Sequence, residues 1–246
     1  MPVFFVSPDA IRGSLLRLGE NNSAHLKALR LRVGEELTVS DGCGWEYRCV
    51  YRGWEENEGV AKILTRSACL TEAAMQAHVF AALPKGEKAE LILQKAVELG
   101  AADVSFFLSS HCVSRPDEQA MRKRMERLDR VSEEAAMQSG RGRIPKVFWI
   151  PSFSDMIREA ASSDLSLFLW EGAERDSLRS VMRSYPGVPA ELSLITGPEG
   201  GFSREEAEFS EKAGIISVTL GKRILRCETA PLCALSAVMF ETGNLE

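Results

Sequence analysis

From residue 78 onward the chain alternates short apolar runs with helical periods, and that rhythm constrains the fold more than any other feature of its 246 residues. Runs at 79–83, 104–108, 147–149, 165–170, 192–195 and 215–220 have the length and composition of buried strands. Between them, 87–99 reads as a helix with apolar or small residues at 89, 92, 93, 96 and 97 and Gly100 as its stop. A longer helix at 117–139 carries Met121, Met125, Leu128, Val131 and Ala135 on one stripe. Strand and helix in strict alternation predict an α/β domain over 78–246, with a mostly parallel sheet covered on both faces.

The first part of the chain follows another rhythm. Segments 3–6, 36–40, 45–51 and 60–65 are strand candidates rich in Val, Tyr, Trp and Ile, and Asp41-Gly42 signals a hairpin between two of them. A short helix is expected from Ser23 to near Arg30. Residues 1–70 therefore read as a small β domain, and 67–77, where strand alternation stops, as a linker.

Chemistry is signalled where the strand 192–195 runs into a glycine-rich turn, Thr196 to Gly201, and then a helix start. Ser203 as N-cap with Glu206 three residues on is a capping box. Such a unit sets backbone N–H groups and a positive helix end beside a concavity at the carboxyl end of a sheet. The spacing Gly-x-x-Gly-Gly is neither the dinucleotide fingerprint nor a P-loop, so a turn that merely joins strand to helix is an equal alternative on this stretch alone. A second loop follows the strand at 215–220, from Gly221 to Pro231, before an apolar closing helix at 230–240.

Composition narrows the class. With 45% hydrophobic and 26% charged residues the chain is an ordinary globular protein. No apolar run reaches bilayer length and the N-terminus lacks the pattern of a secretory signal, which reads as cytoplasmic with no membrane partner. Cys43, Cys49, Cys69, Cys112, Cys227 and Cys233 include no Cys-x-x-Cys pair, and His25, His78 and His111 form no metal-ligand spacing, so no metal is expected. A net charge of −5 argues against coating nucleic acid by bulk charge but leaves room for a local basic patch. Arginines cluster at Arg12, Arg17, Arg30 and Arg32, and again from Arg115 to Arg143.

The pair "LITGPEGGFSREE" (194–206) and "LGKRILRCETAPLCALSA" (220–237) resembles the signature of the SPOUT-class RNA methyltransferases. With "LPKGEKAELILQKAVELGA" (83–101) and "RVSEEAAMQSGRGRIPKV" (130–147), the chain more closely resembles the bacterial small-subunit (16S) ribosomal RNA uridine-N3 methyltransferases. The resemblance implies a SPOUT trefoil-knot domain, which periodicity cannot reveal and connectivity rules disfavour. It also implies a PUA-like RNA-binding β-barrel at the N-terminus, a homodimer built on the knotted domain, and small-subunit ribosomal RNA as substrate, with the assembled 30S subunit favoured and naked RNA left open. The implied cofactor is S-adenosyl-L-methionine. Carried over by position, its loops are Leu169, Trp170 and Glu171; Ile195, Thr196, Gly197, Pro198, Glu199, Gly200 and Gly201; and Leu220, Gly221, Ile224, Leu225 and Arg226 with Thr229 and Ala230, Ile224 and Leu225 forming the adenine wall.

Methyl transfer to a uridine nitrogen requires alignment, exclusion of water, and a base or field that favours the uracil anion. Arg226 is the candidate for stabilising a uracil oxyanion, and Glu199 or Glu228 for accepting the proton or orienting that arginine. For Glu199 the alternative is a carboxylate interacting with a helix dipole. Arg12, Arg30, Arg32, Lys85, Arg115, Arg141 and Arg143 are candidates for RNA phosphate contacts, against the alternative of solvated cations. Two rival functions stay open at this level. One is a non-catalytic RNA-binding assembly factor on the same fold, and the other a nucleotide-binding enzyme of different chemistry. In the closing helix, Leu232, Leu235, Val238, Met239 and Phe240 exceed what one face against a sheet requires and point to a dimer contact.

Overall fold

Spatial contacts divide the chain into Met1–Glu72 with Glu133–Ile144, and Ala73–Ser132 with Pro145–Glu246. The structure, a computed structural model, describes residues 3–172 and 176–245, without the side chains of 20, 21, 23, 24 and 28.

The first unit holds strands β1 (Val3–Phe5), β2 (Ile11–Arg12), β3 (Leu15–Arg17), β4 (Glu36–Ser40), β5 (Trp45–Glu55) and β6 (Glu58–Ala68), with helix α1 (Gly19–Leu29). They form one sheet in the order β1-β4-β5-β6-β3-β2. The sheet is mixed: β1 runs parallel to β4 and every other pairing is antiparallel. Among the described residues no ladder joins β1 to β2, so the expected barrel is seen as a mixed sheet that is not closed by hydrogen bonds. Its core is Phe4, Leu16, Leu18, Leu26, Leu37, Val39 and Cys49.

The Asp41-Gly42 hairpin is present, with Ser40 opposite Glu46. The longer hairpin β5–β6 turns at Glu56 and Asn57, with φ of 50° and 68°, the pair of positive values a two-residue turn needs to match strand twist. Neither residue is glycine, which is why the sequence reading ends one strand early and starts the next late. Helix α1 begins four residues before Ser23, whose side chain lies outside the described residues, and has no side-chain cap at Leu18. It ends where Arg30 turns left-handed at φ 51°.

The segment from Glu133 carries a correction. Arg141, expected to face RNA, is only 5% exposed and is ion-paired with Glu72. Oε1 of Glu72 also accepts the N–H of Gly142 at 2.9 Å and of Arg143 at 3.3 Å, while Ser40 Oγ donates to the carbonyl of Gly142 at 2.8 Å. The loop is thereby tied into its own unit, and the guanidinium of Arg141 serves the fold.

The second unit contains β7 (Gln76–Ala82), α2 (Lys88–Glu98), β8 (Asp103–Phe107), the start of α3 (Glu118–Ser139), β9 (Lys146–Ile150), α4 (Phe153–Ala160), β10 (Leu165–Leu169), α5 (Leu178–Ser184), β11 (Glu191–Thr196), α6 (Arg204–Lys212), β12 (Ile216–Val218) and α7 (Thr229–Glu241). The strands make a wholly parallel sheet in the order β12-β10-β11-β7-β8-β9. Burial on both faces accounts for the unbroken apolar runs: all five residues of β10 are buried, as are five of the six in β11. The chain leaves β10 to place β11 on one side of it and returns to place β12 on the other. That reversal makes the carboxyl ends of these three strands a topological switch point.

Helix α7 buries Pro231, Ala234, Leu235, Val238 and Met239 within its own unit, so much of the apolar surplus expected for a dimer contact is already covered, while Phe240 is 67% exposed. No helix among the described residues is long and apolar enough to cross a membrane.

Removing one partner of a buried ion pair strands the other, so Arg141→Met should lower stability by about 2–4 kcal/mol in urea unfolding. Arg143→Met, at an exposed side chain, should cost less than about 0.5 kcal/mol.

Candidate functional site

A cavity of about 450 Å³ lies at the switch point. Its walls come from the three segments that follow β10, β11 and β12, together with Lys88 at the start of α2. Leu169 at the end of β10 is followed by Trp170 and Glu171; after β11 come Gly197, Pro198, Glu199, Gly201 and Phe202. The third wall runs from Val218 through Leu220, Gly221, Ile224, Leu225 and Arg226 to Cys227, and closes with Ala230.

The turn after β11 is held at both ends by ordinary local chemistry. Ser203 Oγ accepts the N–H of Glu206 at 3.2 Å and Glu206 Oε2 accepts the N–H of Ser203 at 2.9 Å, the expected capping box. Glu206 does more than cap: its Oε1 accepts the N–H of Ser110 at 2.7 Å, fastening the loop after β8 to the same helix start. Gly201 sits at φ +66°, a left-handed position that a branched side chain occupies only with strain. The next residue, Phe202, sends its ring into the core, 4.1 Å from the ring of Phe168 on β10 and stacked at 6.4 Å on Phe107 of β8. A Cβ on Gly197 would meet that ring at 3.2 Å. The glycines thus let the backbone fold over an aromatic anchor.

Not every expected residue reaches the cavity. Ile195 and Thr196 are buried in β11, where Thr196 Oγ1 donates to the carbonyl of Phe80 at 3.4 Å. A Cβ on Gly200 would point at His111, 3.0 Å away, instead of at the cavity, and His111 Nδ1 lies 3.0 Å from the carbonyl oxygen of Gly200. Thr229 begins α7 and does not line the space. Ile224 lines it but is 82% exposed, which makes it a rim residue and leaves Leu169, Phe202, Leu220 and Leu225 as apolar wall. Sequence reasoning missed Lys88, Phe202, Val218, Thr219 and Cys227, and covered Lys222 and Arg223 only as part of the loop from Leu220 to Arg226. Phe202 was visible as an apolar residue just before an N-cap, a position that favours packing against the following helix.

The charges form one cluster. Lys88 Nζ lies 3.0 Å from Glu199 Oε1 and 3.3 Å from Glu228 Oε2, and 3.7 Å from Cys227 Sγ. Burial pushes the Glu199 carboxyl up, but backbone N–H groups and the Lys88 ammonium outweigh it and hold the group below its ordinary value. The Cys227 thiol, its own backbone N–H and Lys88 do the same for Glu228. Burial, with the neighbouring Glu228 and Glu199, raises the Cys227 thiol to about 12. Near neutral pH the cluster is two carboxylates, one ammonium and a neutral thiol. The carboxylates are engaged by Lys88 and make no recorded bond to Arg226. Among the described residues Arg226 has no ion pair, and its exposed side chain stands at the cavity beside the start of α7.

The remaining basic candidates, Arg12, Arg30, Arg32, Lys85, Arg115 and Arg143, are exposed. Arg115 donates through Nη2 to the carbonyls of Ser109 at 3.0 Å and Ser110 at 3.2 Å, so its guanidinium also braces a loop. No group of three or more His, Cys, Asp or Glu among the described residues is placed to hold a metal ion.

Comparison with known proteins agrees with this geometry. A family model described as RNA methyltransferase domain matches residues 71–239. Ribosomal RNA small subunit methyltransferase E of Bacillus subtilis is 29% identical over 92% of this chain and 90% of its own length. That of Synechocystis is 30% identical over 95% of this chain and 75% of its own length. Among solved structures, ribosomal RNA small subunit methyltransferase E from Neisseria gonorrhoeae bound to S-adenosyl methionine superposes with a TM-score of 0.86 at 29% identity, covering 98% of this chain and 97% of that one. A Legionella pneumophila methyltransferase in complex with SAM gives 0.86 at 30% identity over 97% and 96%. The chain belongs to the RNA methyltransferase family that includes the ribosomal RNA small subunit methyltransferases E.

Proposed function

We propose that this protein is an S-adenosylmethionine-dependent ribosomal RNA methyltransferase and that its target is N3 of a uridine in the small-subunit RNA. The observation that carries this reading is the cavity at the ends of β10, β11 and β12, walled by the three loops in a chain whose relatives include SAM-bound structures. The residues present fit such a cofactor. Leu169, Phe202, Leu220 and Leu225 offer apolar surface for a heterocycle, the turn at Gly197 and Gly201 allows close backbone approach, and Glu171 adds negative charge suited to a cation. When bound, the cofactor supplies a methyl group activated by its sulfonium.

The protein's own contribution is position and charge. Exclusion of water from the apolar side of the cavity strengthens the electrostatics there. Arg226, without a carboxylate partner among the described residues, is available to stabilise negative charge developing on a uracil oxygen as N3 loses its proton. Glu199 and Glu228, held as anions by Lys88, act on the shape of the loops. They are thereby less suited to taking the proton than the sequence reading supposed.

The reading extends to a SPOUT trefoil knot in the second unit, a PUA-like RNA-binding role for the first, a homodimer, and the assembled 30S subunit in the cytoplasm as substrate. The exposed arginines Arg12, Arg30 and Arg32 of the first unit support the RNA-binding role, and the exposed Phe240 on α7 supports a contact between copies. The direct test is incubation with methyl-labelled cofactor and undermethylated small subunits, followed by identification of the modified nucleoside. Label at N3 of a uridine establishes the reaction. Tight cofactor binding without incorporation favours a non-catalytic assembly factor.

Gly201→Val should weaken cofactor binding more than about tenfold in calorimetry with the fold retained, because a β-branched residue at φ +66° displaces the turn. Arg226→Ala should lower single-turnover methylation by something on the order of a hundredfold with cofactor affinity unchanged. Arg30→Asn, which tolerates the left-handed backbone, should instead weaken RNA binding and reduce its salt slope by roughly one unit.

A further inference from the structure

Three segments wall the cavity, and among the described residues Lys88 is the lining residue that comes from elsewhere in the chain. It is the first residue of α2, where the helix dipole disfavours a cation, so local helix chemistry does not account for it. Its ammonium reaches Glu199 of the turn after β11 and Glu228 at the start of α7, two residues 29 positions apart that have no recorded bond to each other. Oε1 of Glu199 also accepts the N–H of Lys85 at 3.1 Å, so the link to the start of α2 is made by side chain and backbone together. Glu228 in turn accepts from the neighbouring Cys227 thiol at 3.2 Å. All three charged side chains are partly covered, at 31%, 28% and 19% exposure, so solvent screens the cluster less than it would a surface pair.

We propose that Lys88 is a positioning residue of the site, whose ammonium clamps the Glu199 turn to the Glu228 loop and so fixes the width of the cavity. The alternative use of a lysine here, as a cation offered directly to a ligand, is at odds with two carboxylates already within 3.3 Å of its nitrogen. The clamp also explains why one acid, Glu199, lines a site that works on an acidic polymer and a second, Glu228, follows directly on its lining residue Cys227. Neutralised in part by one lysine, they repel RNA less and leave Arg226 unpaired for the substrate. This inference rests on reading the cavity as the cofactor site, but the clamp itself is testable without cofactor.

The test is hydrogen exchange of the backbone amides at 199–201 and 221–228 in the free protein, with cofactor affinity measured alongside by calorimetry. Lys88→Met should speed exchange in both segments about fivefold and leave amides of β7 and β8 unchanged, and Lys88→Arg should restore the slow rate. If Lys88→Met fails to fold, Glu228→Gln should give the same acceleration on the 221–228 side. In the Lys88→Met and Glu228→Gln double variant the effects should not add, since either change opens the same link. Cofactor affinity should fall in parallel with the exchange. Unchanged exchange in folded Lys88→Met overturns the clamp. Accelerated exchange in a protein whose unaltered form binds no S-adenosylmethionine upholds the clamp and overturns the cofactor reading instead.

Discussion

Parallel strands all end on one edge, and the site of this protein depends on that constraint. Since β10, β11 and β12 are adjacent and run the same way, the segments leaving them emerge side by side, although they lie up to about fifty residues apart in sequence. The reversal of chain direction at β10 keeps the helices that follow from filling the gap. What remains is a concavity whose walls are the loops and whose floor is the end of the buried strands β10 and β11.

The loops are not free to drift once they emerge. Phe202 pins the glycine turn to Phe168 and Phe107 in the core, and Glu206 serves as cap for α6 and as acceptor for the loop after β8. The two anchors differ in kind. Aromatic burial holds through contact area, whereas the carboxylate holds through directed bonds from backbone N–H groups. Glycine is required where the turn is left-handed at Gly201 and where Gly197 lies under the Phe202 ring. Elsewhere in the motif the requirement has another cause, since Gly200 makes room for His111 and not for a ligand.

Charge around the cavity follows from pairing as much as from composition. Glu199 and Glu228 have a lysine between them, while Arg226, two positions before Glu228, has no such partner among the described residues. Loop cations that look alike in sequence therefore have different uses. Arg141 is buried against Glu72, Arg115 braces two carbonyls, and Arg226 faces the cavity.

The α/β class of the second unit was legible in sequence because a sheet buried on both faces needs continuous apolar runs, and 165–170 and 192–195 show them plainly. The capping box at Ser203 and Glu206 was legible for the same local reason: cap chemistry involves residues three apart, and no distant partner decides it. Helix α1 was placed less well because it starts without a side-chain cap, and the β5–β6 turn was missed because Glu56 and Asn57 do the work usually given to glycine. Which residues share the cavity was decided only by tertiary structure. Nothing near Lys88 in the chain announces that its nitrogen will meet carboxylates more than a hundred residues away, and nothing near Arg141 announces Glu72. Local propensity and periodicity are properties of neighbours in sequence, whereas ion pairs and cavity walls are set by the strand order that brings distant segments together.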